Sequence, residues 1–170
     1  SEVFCWIAQG NYVFVKIKEN KSEKTQSPEK LSSLEKVKTL FLGVNNPKPK
    51  SSKIPSQKYQ TLKLKSNKEI ECWYIQNTKS KGTVILFHGY GAEKSSLIER
   101  SDEFQKLGYN TMLVDFMGSG NSDGNQTTIG FKEAEEVKTC FDYISSLGEK
   151  NIYFFGSSMG AVSIMKSMKD

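Results

Sequence analysis

Residues Asn151 to Met165 read NIYFFGSSMGAVSIM, and the fold turns on this stretch. Tyr153, Phe154 and Phe155 are strand formers, and Ala161, Val162, Ile164 and Met165 carry an apolar helical continuation. Between them stands Gly156-Ser157-Ser158-Met159-Gly160, a G-x-S-x-G pattern. This spacing predicts a sharp strand-to-helix turn with Ser158 at its apex, its hydroxyl clear of the sheet. Glycines two positions before and two after leave no Cβ to collide where strand and helix cross. The following helix aims its free N–H groups and positive dipole end at the same spot, where negative charge on a substrate oxygen would be stabilised. The pattern alone is weak, since a chain with 13 glycines and this serine content gives about 0.12 matches by chance. The strand–turn–helix context is what gives it weight.

Upstream, the apolar pattern alternates between strand and helix. Strands are expected over 59–65 and 69–75, an antiparallel hairpin turning at Ser66-Asn67. Further strands are expected at 83–87, where TVILF is continuously apolar as a strand buried on both faces should be, and at 110–115 and 151–155. Helices are expected over 94–107, with Leu97, Ile98, Phe104 and Leu107 inward, and over 129–147, with Ala134, Val137, Phe141 and Ile144 inward. Gly108 and Gly148 stand as their stop signals. This alternation predicts an α/β fold with a mostly parallel sheet, right-handed crossovers and an N-terminal antiparallel hairpin.

The first third is different in kind. Residues 19–30 form a polar linker, 31–44 carry Leu34, Val37, Leu40 and Phe41 at helical spacing, and Pro47, Pro49 and Pro55 mark an extended segment. The reading is an extension over 1–55 and a domain over 56–170. The opening residues VFCWIA and YVFVKI leave two readings open, the tail of a clipped membrane anchor or export signal, and an edge hairpin. The compartment stays open with them: membrane-anchored, exported or cytoplasmic.

Net charge is +5, but residues 1–81 carry +9 and residues 82–170 carry −4. The lysines of the basic half stand singly among Ser, Glu and Asn with no arginine, the pattern of a solvated extension and not of a nucleic-acid or membrane-surface module. Three cysteines without C-x-x-C spacing and a single histidine argue against a disulfide framework and a metal site; no cofactor is expected. Gly118 to Gly124 is one residue too long for a dinucleotide fingerprint.

Three ordered motifs resemble those of the α/β-hydrolase superfamily, in particular its serine aminopeptidase-like and esterase-like members. His88-Gly89-Tyr90-Gly91, after a buried strand, is similar to the family's HGxG oxyanion loop. Asp115-Phe116-Met117-Gly118-Ser119-Gly120-Asn121-Ser122 is similar to its D-x-x-G-x-G-x-S loop, and the Ser158 turn is similar to its nucleophile elbow. The resemblance covers about residues 56–170. It implies Ser158 as nucleophile toward an ester, thioester or small amide, and the backbone N–H groups of Tyr90 and Met159 as oxyanion donors. A donor in such a site is worth roughly 3–4 kcal/mol. The partner implied is a small-molecule acyl substrate; oligomeric state is not readable.

The family's acid and histidine follow the serine, and ten residues follow Gly160 here. The chain is therefore expected to be the N-terminal portion of a serine hydrolase, with an open flank on strand 151–155. The alternative is a catalytically inactive relative acting as a binding or residual protein. His88, the one histidine, is read as holding the oxyanion loop and not as the base, because the base belongs on a separate loop. Asp115 is read as a structural carboxylate accepting loop N–H bonds. Gly89, Gly91, Gly156 and Gly160 are read as giving these loops their close approaches, and Trp6 and Trp73 as packing residues.

Overall fold

The computed structural model describes residues 2–8, 11–15, 48–51 and 53–168. The helix expected over 31–44 and the linker over 19–30 lie outside the described residues. Seven strands form one sheet: β1 (Glu2–Ala8), β2 (Asn11–Val15), β3 (Gln60–Lys65), β4 (Glu69–Ile75), β5 (Thr83–Phe87), β6 (Asn110–Val114) and β7 (Ile152–Ser157). Among the described residues three helices pack on it: α1 (Ile98–Lys106), preceded by a 3₁₀ turn at Lys94–Leu97, α2 (Glu133–Ser146) and α3 (Met159–Ser167).

The strand order is β2-β1-β7-β5-β6-β4-β3. β5 lies between β6 and β7 and is parallel to both, with Phe87 opposite Val114 on one side and Gly156 on the other. β3 and β4 make the expected antiparallel hairpin, and β4 joins the sheet antiparallel to β6. The period of two sorts the apolar strands into two cores. Ile85, Phe87, Met112, Val114 and Phe154 face α2 and α3, whereas Val84, Leu86, Leu113 and Phe155 face α1.

The flank of β7 expected to be open is filled. β1 pairs antiparallel along it, Glu2 opposite Ser157 and Cys5 opposite Phe154, and β2 completes the hairpin. An unpaired strand edge leaves a row of N–H and C=O groups without partners, and the first residues of the chain supply them. Of the two readings of the opening residues, strand formation is the one that this hairpin answers to.

One helix boundary also moves. The expected start of the second helix at 129 is replaced by a loop, because Ile129 and Gly130 take φ of 52° and 99°, values no helix accommodates. Inward positions shift as well: Leu107 and Phe141 are exposed, and Cys140 takes the buried place on α2. Lys48–Ser51, from the extension, lies against the loops that follow β5 and β6. Gly120 N–H donates to Pro49 C=O (2.9 Å), Ser51 Oγ donates to Glu93 Oε2 (2.8 Å), and Lys48 Nζ donates to Ser122 C=O.

Candidate active site

Parallel neighbours bring their C-terminal ends to one edge of a sheet, and the three motifs meet there because β5, β6 and β7 each end in one of them. Ser158 is the N-cap of α3, between β7 and the helix, with φ 48° and ψ −108°. Only it and Ile129 among described non-glycine residues have positive φ. That conformation costs of order 1–3 kcal/mol and leaves the serine exposed, while Met159 beside it is buried. The first helical bond, Val162 N–H to Ser158 C=O, is 3.1 Å.

The two elbow glycines are required by contact. A Cβ on Gly156 would stand 2.6 Å from the Ala161 nitrogen, and one on Gly160 would stand 2.4 Å from the Phe87 carbonyl oxygen. Backbone atoms cannot move aside as a flexible side chain can. Gly160→Ala is therefore expected to destabilise the fold by about 1–3 kcal/mol, overriding alanine's better helix propensity. A denaturant midpoint equal to or above the parent's would contradict this.

The segment after β5 approaches the serine closely: a Cβ on Gly89 would lie 3.5 Å from Ser158 Cβ. Tyr90 is half exposed, and Gly91 takes φ of 71°. His88 is fully buried. Its Nε2 accepts from Phe116 N–H (3.1 Å), which puts the ring proton on Nδ1, 2.8 Å from the Gly89 C=O that accepts it. Both nitrogens are thus engaged by backbone, and burial, the largest influence, holds the ring's pKa below the ordinary histidine value. Neither nitrogen is directed to Ser158.

Asp115 accepts from Lys94 N–H (2.7 Å) and Asn121 N–H (3.0 Å), so it ties the segment after β5 to the Gly-rich loop after β6. A Cβ on Gly120 would fall 1.8 Å from its carboxylate, so the loop closes tightly around the acid. Ser122 Oγ donates to Asp115 C=O (2.7 Å) and accepts from Glu71 N–H (2.8 Å).

Pattern reading missed the charges beneath this loop. Lys94 is fully buried; its Nζ meets Asp115 Oδ2 at 2.5 Å and Glu71 Oε1 at 3.0 Å, and stands 4.5 Å from the centre of the Trp73 ring. Burial pulls the ammonium's pKa down, but the bonds to Asp115 and then Glu71 outweigh it, and the net shift is upward. Glu71 also accepts from Asn121 Nδ2 (2.8 Å); burial pushes it up, yet the Asn121 and Lys94 bonds leave it below the usual carboxylate value.

On α2, Glu133 is buried and accepts from Thr128 N–H (2.8 Å), Gly130 N–H (2.9 Å) and the hydroxyls of Thr127 and Thr128 (2.7 and 2.5 Å). These bonds fix the turn that holds Ile129 in its strained conformation. Glu136, one turn on, accepts from Met117 N–H (3.0 Å), while its other oxygen is buried without a partner. The available signal was acids at positions 133 and 136 on the same helical stripe as Val137, Cys140 and Ile144, the apolar stripe that faces the core, whereas charges ordinarily lie on the opposite, solvated face. Among the described residues no group of three His, Cys, Asp or Glu could hold a metal ion, and no helix is long and apolar enough to cross a membrane.

The model of the family described as serine aminopeptidase, S33, matches residues 78–170, more than half of the chain. The chain belongs to this α/β-hydrolase family. Among curated proteins it is 29% identical over 103 residues to 2-hydroxy-6-oxononadienedioate/2-hydroxy-6-oxononatrienedioate hydrolase of Paraburkholderia phymatum, covering 59% of this chain and 35% of that one. It is 31% identical over 91 residues to caffeoylshikimate esterase of Arabidopsis thaliana, covering 48% and 26%. Among solved structures, the Pyrococcus furiosus esterase Pf2001 superposes with a TM-score of 0.66 at 30% identity, covering 75% of this chain and 53% of that one. This S33-family chain thus spans about a quarter to a third of these two curated relatives. The sheet is mixed and not mostly parallel as expected, since only β5 pairs parallel, with β6 and β7, while β1–β2, β1–β7, β3–β4 and β4–β6 pair antiparallel. This mixed sheet with its helices is that of the α/β-hydrolase fold.

Proposed function

We propose that the protein is a serine hydrolase that cleaves an ester, thioester or small amide through an acyl-Ser158 intermediate. The observation that carries the reading is the Ser158 backbone, φ 48° and ψ −108°, on an exposed residue at the N-terminus of α3. A fold tolerates such strain where the displayed side chain has a task. In the proposed first step Ser158 Oγ bonds to the acyl carbon, and its proton passes to a general base. The carbonyl π pair moves to oxygen, where the N–H groups of Tyr90 and Met159 receive it. The oxygen pair then re-forms the carbonyl and expels the protonated leaving group; water repeats the sequence to free the acid.

Residues 56–170 are proposed as the N-terminal part of the hydrolase domain and 1–55 as its extension. The acid and base are proposed to come from outside these 170 residues, because His88 is committed to backbone on both nitrogens. A small acyl compound is the proposed substrate. The names of the curated relatives, a hydrolase and an esterase, support this class.

The test is covalent trapping. With a fluorophosphonate, Ser158 Oγ would bond to phosphorus and fluoride would leave. The full-length protein should acquire one adduct, mapped to Ser158 by peptide mass spectrometry. The 170-residue chain should react at least 100-fold more slowly, since a serine hydroxyl without a base is a poor nucleophile. Fast labelling of the short chain, lost on His88→Ala, would give His88 the role of base instead. No adduct on the full-length protein would favour the inactive-relative reading.

A further inference from the structure

The segment that carries Tyr90 is fastened at both ends to two adjacent residues. At its start His88 Nε2 accepts from Phe116 N–H (3.1 Å), and at its end Lys94 bonds Asp115 twice, through N–H (2.7 Å) and Nζ (2.5 Å). Between these anchors lie Gly89, Tyr90, Gly91, Ala92 and Glu93, with two glycines and a turn bond from Ala92 N–H to Gly89 C=O at 3.3 Å. Glu93, next to the far anchor, is itself bonded by Ser51 Oγ (2.8 Å) and Ser95 N–H (2.7 Å), and the glycine-containing stretch takes its register from these fixed points. The far anchor is charged: one ammonium, fully buried, stands between the carboxylates of Asp115 and Glu71. Without the ammonium Asp115 loses its Nζ bond, and the Lys94 N–H bond alone leaves the carboxylate free to turn away from the end of the segment. Repulsion between the two acids, both bonded to Asn121, adds a cost in stability.

We infer that Lys94 is a positioning residue of the Ser158 site: through Asp115 it fixes where the Tyr90 amide stands relative to the serine. The inference rests on the serine-hydrolase reading and adds to it a residue that touches no substrate. The ammonium acts before the reaction, by removing the freedom of the 89–93 segment. A donor fixed in advance favours the tetrahedral oxyanion over the planar ester, so the loss of its alignment lowers kcat and leaves KM in place. A displacement of about 1 Å at such a donor is worth up to about 100-fold in rate.

The experiment uses the full-length protein with p-nitrophenyl acetate, and a short alkyl trifluoromethyl ketone as the tetrahedral probe. Two variants are compared with the parent, Lys94→Met and the double variant Lys94→Met/Glu71→Gln. The double variant keeps the buried net charge, and the amide oxygen that Glu71→Gln introduces can still accept from Asn121. Both are expected to lose 10- to 100-fold in kcat, with KM within about twofold. The ketone's inhibition constant should weaken by the same factor, a change that lower stability alone does not produce. The double variant should recover most of the melting temperature that Lys94→Met loses, without recovering kcat. A folded double variant with parental kcat and parental ketone affinity would overturn the inference, and so would failure of both variants to fold, which makes Lys94 a stability element alone. Absence of any turnover that depends on Ser158 in the parent is a different result: it removes the hydrolase reading, and the inference with it.

Discussion

Ser158→Ala in the full-length protein is expected to lower hydrolysis of an activated ester by roughly 10³- to 10⁶-fold, with no comparable loss of stability. The size follows from the proposed role of one oxygen: on that mechanism no acyl-enzyme forms without it, and what remains is the help that bound donors give to water. The fold should tolerate the change. The Ser158 side chain is exposed, and its backbone role, accepting Val162 N–H, survives in alanine. Alanine inherits the same strained φ of 48°, so the denaturation midpoint should move by less than about 1 kcal/mol in equivalent stability. Ser158→Gly should be equally inactive yet more stable than the parent, since glycine reaches positive φ without penalty. A stable Ser158→Ala protein with parental turnover would sink the nucleophile assignment, whatever the family.

Glu136→Gln is expected to stabilise the protein by several kcal/mol at pH 8.5 and hardly at all at pH 4. The parent's Glu136 is fully buried, and burial pushes its carboxyl from 4.5 up to about 8, against the bond from Met117 N–H. Glu133 and Glu135 add to the rise by repulsion. The sign follows from proton counts. Below about pH 4.5 Glu136 is protonated folded and unfolded alike, and its burial as a neutral group is uncharged. Between 4.5 and about 8 the unfolded chain releases the proton and the folded protein keeps it, so stability falls as pH rises. Above about 8 the loss is complete, on the order of 4–5 kcal/mol. Glutamine does not titrate, and it offers the Met117 N–H the same acceptor. It also turns one buried acceptor into a donor, next to a region where Glu136 Oε1 and Asn67 Oδ1 have no partner. Urea midpoints of both proteins across pH 4–9 would test this; parallel curves would mean that Glu136 is ionised in the fold and that the pH dependence lies elsewhere.

The regular elements were legible because burial on two faces leaves a mark in composition. TVILF at 83–87 and NTMLV at 110–114 are buried at every position, and a run with no polar alternation can mean little else in a chain that alternates strand and helix. The Ser158 turn was legible for a related reason. A Cβ on Gly156 or Gly160 would meet backbone at 2.6 and 2.4 Å, a close approach that only glycine permits, so the geometry is written into residue type.

What escaped was long-range. Nothing in VFCWIA specifies that it pairs with β7, since strand propensity names no partner and the two are about 150 residues apart in sequence. Lys94, Glu71 and Asp115 likewise look like three solvated charges at separations of 23 and 21 residues; only the strand order, which puts β4 beside β6 and β6 beside β5, brings them into one buried cluster. Local pattern determined the strands, the elbow and the order of the motifs, because those depend on neighbours within a turn or two. Tertiary structure decided which edge of β7 is covered and which charges are buried together, because burial of a charge is favourable only beside a partner, and the partner's identity is fixed by topology.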